Sequence, residues 1–263
     1  MPVMTPACRQ IRRNILEASR ASGHGHIPTS FSIIELMCAV YDTIKHDPEN
    51  PQWAERDIFV LSKGHAALGF YAVLAQYGYL PVEELKTFGQ FESRLGCHAD
   101  RLKVPGAEVS TGSLGHGLSV AAGMALAFKI QNSPRRVFTV IGDGESNEGT
   151  VWETVMAAVN QKLDNYTILY DANKSQVRSL PLPNPGDRFR AFGCDTIEAD
   201  GHDLAALKAA LTKPREAGRP RVVVAHTVKG YGCPTLANNI FEWHRKSPKP
   251  EEMELLAKEL EAA

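Results

Sequence analysis

The chain lacks most of the features that mark specialised classes of protein. Its 263 residues carry a net charge of −1, so neither nucleic acid nor a membrane surface is expected as a partner. No apolar run is long enough to cross a bilayer. The opening MPVMTPACRQIRRNIL has no apolar stretch of the secretory type, so the expected location is the cytoplasm. The five cysteines (Cys8, Cys38, Cys97, Cys194 and Cys233) are scattered, with no C-x-x-C. That argues against a disulfide framework or a thiolate zinc site and for a reducing compartment. Repeats, low-complexity tracts and clear linkers are missing. Two glycine-rich turns, residues 112–117 and 142–149, lack the G-x-G-x-x-G spacing of dinucleotide loops, and no Walker lysine follows either.

What is present fits one large domain, residues 1–263, with one sizeable core. Thr5 predicts an N-cap with Pro6 at the first helical position, and Ile11, Ile15, Leu16 and Ala18 form one apolar face. A glycine-rich turn, residues 22–28, carries His24 and His26. Ser30 is expected to cap a second helix with Ile33, Ile34, Met37, Cys38 and Tyr41 inward. Residues 56–61 read as a short buried strand, followed by Ser62-Lys63-Gly64-His65 and a helix over 66–77. The irregular stretch 78–108 is long enough to suggest a functional loop. A small-residue helix is expected over 118–130.

The centre is a βαβ unit. The run 137–141 stops at Gly142-Asp143-Gly144, a helix follows over 145–160, and the strand 166–170 closes at Asp171-Ala172-Asn173. Beyond it come a surface loop over 179–187, a helix from the Asp203 cap to Leu211 and a strand over 221–226. A loop with Trp243 and His244 and a charged helix from Pro250 end the chain. This alternation predicts an α/β fold: an open, mostly parallel sheet with helices on both faces.

In such sheets ligands sit at the carboxyl ends of the strands. Asp143 and Asn173 stand there, one carboxylate and one neutral amide oxygen. Hard oxygen ligands with few charges suit Mg²⁺ shared with a phosphate-bearing cofactor, and a helix start after Gly144 would aim N–H groups at phosphate. Taken alone, Asp143 also reads as a turn-former and Asn173 as an Asx-turn residue. A histidine in a glycine turn reads as a local hydrogen-bonder, and His24 with His26 is poor spacing for zinc.

Longer wording narrows the choice. GDGESNEG with YDANKSQ resembles the thiamine-diphosphate fingerprint of transketolases. SGHGHIPTSFSIIELM, RDIFVLSKGHAALGFYAVLAQYGY, LGCHADRLKVPGAEVSTGSLGHGLSVAAGMALA and HTVKGYG…EWH resemble further transketolase segments, in the correct order. The resemblance implies that Asp143, Asn173 and the backbone carbonyl of Ser175 ligate Mg²⁺. It implies that Gly142, Gly144, Glu145, Gly112, Ser113, Leu114, His65 and His244 surround thiamine diphosphate. His24, His65, His98 and His244 would serve the reacting sugar, and Glu148 would join a carboxylate network at a dimer interface.

Several positions depart from the family wording: Gly25-His26 after His24, Cys97-His98-Ala99, His116, and Arg245 where glycine is frequent. They fall on the substrate side and bear on which sugars are used. A full transketolase is more than twice this length, and the part without a counterpart here carries the pyrimidine-binding domain with its catalytic glutamate. The resemblance therefore implies the diphosphate-binding subunit of a split transketolase, paired with a C-terminal partner chain in an α2β2 assembly. Its substrates would be a ketose and an aldose, expected to be phosphorylated. The other readings are the α subunit of a thiamine-dependent 2-oxo-acid dehydrogenase and a non-catalytic relative.

Overall fold

A computed structural model describes residues 2–263. Five strands form one all-parallel sheet: β1 Ile58–Leu61, β2 Val137–Gly142, β3 Tyr166–Ala172, β4 Asp195–Asp200 and β5 Arg221–His226. Their spatial order is β1-β2-β3-β5-β4. Parallel strands covered on both faces need side chains that bury either way, and IFVL, VFTVIG and YTILYDA supply them.

Side chains alternate between two cores. Phe59, Leu61, Phe138, Val140, Leu169 and Val223 meet the helices α1 Pro6–Ser22, α3 Ile34–Tyr41, α4 Ala67–Gln76 and α8 Leu204–Thr212. Ile58, Val60, Val137, Ile141, Ile168 and Val222 meet α5 His116–Ile130, α6 Gly149–Asn160 and α7 Pro185–Phe192. The expected α/β sheet with helices on both faces is what forms.

Some boundaries differ from the sequence reading. Ser30 does not cap a helix. It lies inside α2 Ile27–Phe31, whose N-cap is His26, and its hydroxyl donates back to the His26 carbonyl at 2.9 Å. Pro28 in the first turn fits that start. The helix expected from 145 begins instead as a 3-10 turn, Gly144–Asn147, before α6. β4 and α7 stand where no element was expected. Two more helices, α9 Pro234–Asn238 and α10 Pro250–Ala262, complete the chain. The loop over 78–108 contains one 3-10 segment, Val82–Thr87.

Candidate active site

The carboxyl ends of three neighbouring strands line one cavity of about 370 Å³, and that of a fourth, β5, supports it from behind. Lys63 follows β1, Asp143 follows β2, Asp171 and Asn173 end β3, and Thr227 and Lys229 follow β5. Close approach is built into the floor. A Cβ on Gly64 would fall 2.8 Å from the Gly112 backbone nitrogen, so only glycine lets these two turns touch.

Asp171 is the buried hub beneath the floor. It accepts from Lys63 Nζ at 2.5 Å, Thr227 Oγ1 at 2.5 Å, Asn173 Nδ2 at 2.6 Å and Ser32 Oγ at 2.8 Å. Burial alone would raise its carboxyl, but the Lys63 ammonium and these donors hold it below its ordinary value. The hub fixes Asn173 so that its Oδ1 accepts from the Ser175 N–H at 3.0 Å.

Asp143 sits beside it, 3% exposed. Its Oδ1 accepts from Ser175 Oγ at 2.6 Å and from the Gly144 N–H at 2.7 Å. Its Oδ2 is buried with no partner among the described residues. Burial pushes this carboxyl upward, and the Ser175 hydroxyl only partly offsets that. A buried carboxylate oxygen without a donor is costly unless something positive meets it.

Glu145 is committed elsewhere. Oε1 accepts from Ser62 Oγ at 2.5 Å and the Gly115 N–H at 2.8 Å, and Oε2 accepts from the Gly142 N–H at 3.0 Å. Ser62 Oγ also accepts from the Leu118 N–H at 3.0 Å. One carboxylate thus ties together the turns after β1 and β2 and the start of α5.

Four imidazoles line the cavity, and three of them, His26, His65 and His244, pack against one another. Ring centroids lie 5.2 Å apart for His26 and His244, 5.6 Å for His26 and His65, and 6.4 Å for His65 and His244. All three are pulled down. Burial, then Lys63, takes His65 to about 2. Burial, then His244 and Arg245, takes His26 to about 4. Burial, then Lys229, lowers His244. They are therefore neutral at pH 7, and each can donate one proton and accept another. Lys229 lies 3.4 Å from His244 Nδ1, its own ammonium lowered to about 8 by burial and by Lys63.

Of the expected site residues, His65, His98, Gly112, Leu114, Gly142, Asp143, Gly144, Glu145, Asn173, Ser175 and His244 line this one cavity. Three do not. Ser113 is exposed, its hydroxyl 3.2 Å from His116 Nδ1. Glu148 is exposed at the N-cap of α6.

His24, expected in the substrate channel, lies outside the cavity wall. Its ring packs 5.0 Å from Phe88, and its Nδ1 is 3.9 Å from Cys97 Sγ. The cause is local. Gly23, at φ 73, ends α1, and the His24 carbonyl is pinned by Ser19 Oγ and Ser22 Oγ, both at 2.9 Å. His26, two residues on, lines the cavity. Two Gly-His pairs stand in a row, and SGH drew the resemblance to the first. Thr29, Lys63 and Arg245 also line the cavity and Lys229 backs His244, none of them expected, although Lys63 and Lys229 follow closely on the carboxyl ends of β1 and β5.

Known proteins match this arrangement. Residues 4–261 fit the family "Transketolase, thiamine diphosphate binding domain". The chain belongs to that family. It is 39% identical over 260 residues, 96% of this chain and 94% of the relative, to a subunit of the apulose-4-phosphate transketolase of Actinobacillus succinogenes. It is 41% identical over 230 residues, 85% of this chain and 84% of the relative, to the 6-deoxy-6-sulfo-D-fructose transketolase subunit SqwG of a Clostridium species. Among solved structures, a transketolase variant of Pichia stipitis in complex with fructose 6-phosphate superposes with a TM-score of 0.89 at 29% identity. That match covers 97% of this chain but 40% of the Pichia chain. This transketolase-family chain thus spans well under half of the full-length enzyme and most of each of the two named subunits. The 2-oxo-acid dehydrogenase reading is not favoured.

The residues present fit the family's cofactor. Gly144 borders the cavity with open space where a side chain would stand, and Ser175 links Asp143, with its orphaned Oδ2, to Asn173 Oδ1, a set of oxygens suited to a hard cation.

Proposed function

We propose that this chain is the diphosphate-binding half of a two-chain transketolase that moves a two-carbon ketol unit from a ketose to an aldose. The observation that carries the reading is a single cavity lined both by Asp143, with an unpartnered, buried oxygen, and by the neutral His26, His65 and His244. Asp143 Oδ2, Asn173 Oδ1 and the Ser175 carbonyl are the proposed ligands of Mg²⁺, which would hold the diphosphate of thiamine diphosphate. When bound, thiamine diphosphate supplies the electron sink for the pair released as the carbon–carbon bond breaks.

This chain's residues do the rest. His26, His65 and His244, each a donor and an acceptor, orient sugar hydroxyls and carry protons to and from them. His98 lines the same cavity and is itself exposed. Lys229 donates to His244 Nδ1, which leaves Nε2–H to face substrate oxygens. The proposed partner is a C-terminal subunit carrying the pyrimidine-binding domain and its glutamate, with two of each chain in the assembly. Glu148 is proposed to lie at that assembly's interface. The named relatives act on a sugar phosphate and a sulfosugar, so a ketose with a terminal oxyanion is the proposed donor. A reducing cytoplasm fits five free cysteines, of which only Cys97 is exposed.

The test is co-expression with a pyrimidine-domain subunit, followed by assay of ketol transfer from xylulose 5-phosphate to ribose 5-phosphate. Transfer that needs both chains, thiamine diphosphate and Mg²⁺ supports the reading. Transfer by this chain alone, or cofactor binding by the pair with no transfer to any aldose, overturns it.

A further inference from the structure

One charge at the cavity is left unused by this chemistry. Arg245 lines the wall with His244, His26 and His98, and among the described residues no ion pair engages its guanidinium. Nearby carboxylates are spent: Lys246 takes Glu242 at 2.9 Å and Glu252 at 2.6 Å. Of the two carboxylates that line the cavity, Glu145 is spent on its three donors, and Asp143, whose Oδ2 is unpartnered, makes no ion pair with Arg245. The charge of Arg245 is nevertheless felt inside, since it helps to lower His26 and His244.

The position is held from both sides. Trp243 is 2% exposed, and its backbone N–H donates to the Asn239 carbonyl at 3.0 Å. The Lys246 ammonium lies 4.2 Å over its ring. Residue 245 is therefore carried on an anchored turn, with a long side chain free to reach a ligand.

We propose that Arg245 determines specificity by binding the terminal oxyanion, phosphate or sulfonate, of the sugar. The assignment rests on the ketol-transfer reading for the identity of the ligand as a sugar. An uncompensated guanidinium offers a planar fork of donors that matches a tetrahedral oxyanion, and such charge-assisted pairs are stronger than neutral hydrogen bonds. The histidines beside it suit the hydroxyls of the same molecule.

The test is calorimetry on the two-chain complex loaded with thiamine diphosphate and Mg²⁺. Ribose 5-phosphate and ribose are titrated into wild type, Arg245→Gln and Arg245→Lys. The expected result is a Kd for ribose 5-phosphate raised at least roughly tenfold by Arg245→Gln and partly restored by Arg245→Lys. Ribose and thiamine diphosphate should bind all three proteins equally. Fructose 6-phosphate and 6-deoxy-6-sulfofructose, titrated in parallel, separate the oxyanions: the one whose binding falls more is the one the site is built for. Equal weakening of ribose and ribose 5-phosphate, no weakening of either, or weaker thiamine diphosphate binding overturns the assignment. Because the readout is binding, a wild-type complex that transfers no ketol unit refutes the functional reading and leaves this result standing on its own.

Discussion

Ser175 Oγ donates to Asp143 Oδ1 at 2.6 Å, while Oδ2 of the same carboxylate stays buried and unpartnered. One oxygen is oriented by the protein and the other is kept for a ligand. Such a group is held for binding at a cost to the fold, since a buried, half-satisfied carboxylate is destabilising.

Asp143→Ala should therefore abolish Mg²⁺-dependent binding of thiamine diphosphate and leave the unloaded chain at least as stable as wild type. Calorimetry and thermal denaturation check the two halves separately. Tight binding by the variant would remove Asp143 from the site.

The Lys63–Asp171 pair behaves in the opposite way. Both side chains are buried, at 2.5 Å. Lys63→Met strands the Asp171 charge and should cost about 3–5 kcal/mol in urea denaturation. Asp171→Asn added to Lys63→Met should recover much of that loss, because it removes the unpaired charge. No recovery in the double variant would mean that the pair acts through packing instead.

His26 and His24 are separated by one residue and should be separated widely by kinetics. In the assembled enzyme, His26→Ala should lower kcat/KM by roughly a hundredfold or more, the scale of a lost proton-transfer group. His24→Ala should leave it within a small factor. Comparable losses in the two variants would place both rings on the substrate.

His65 makes a pH prediction. Its ordinary value of 6.5 falls to about 2 in the fold, through burial and then Lys63. Below pH 6.5 the unfolded chain takes up a proton that the folded chain refuses, so this group removes stability as pH drops toward 2. In His65→Asn that dependence disappears. The difference between wild-type and variant stabilities, which cancels the other titrating groups, should slope by up to about 1.4 kcal/mol per pH unit. Parallel curves between about pH 6 and 4 would show that His65 stays solvated.

Much of this was legible in the sequence, and the reasons are physical. β1, β2, β3 and β5 announce themselves because parallel strands buried on both faces must be apolar throughout. β4 reads DTIEAD and hides, since of the two edge strands it is the poorly covered one, with Glu198 and Asp200 exposed and only Asp195 fully buried. α7 hides behind proline and glycine, although Pro185 stands in its first turn, where proline is welcome. Asp143 and Asn173 could be found because their chemistry demands the carboxyl ends of neighbouring strands. The Lys63–Asp171 hub could not, because a charged residue reads as exposed until its partner is known. His26 went unread because two Gly-His pairs stand in a row and only the first carries the family wording.

The Glu145 bonds carry a consequence for anyone who would redesign this protein. Because one carboxylate joins the turns after β1 and β2 to the start of α5, a change at any of the three is transmitted to the others. The floor will resist piecemeal mutation. The rim is different, since His98 and Arg245 stand on separate exposed loops that no common carboxylate joins among the described residues. New substrate preferences should be sought by varying the rim in libraries, with Ser62, Gly115, Gly142 and Glu145 left as they are.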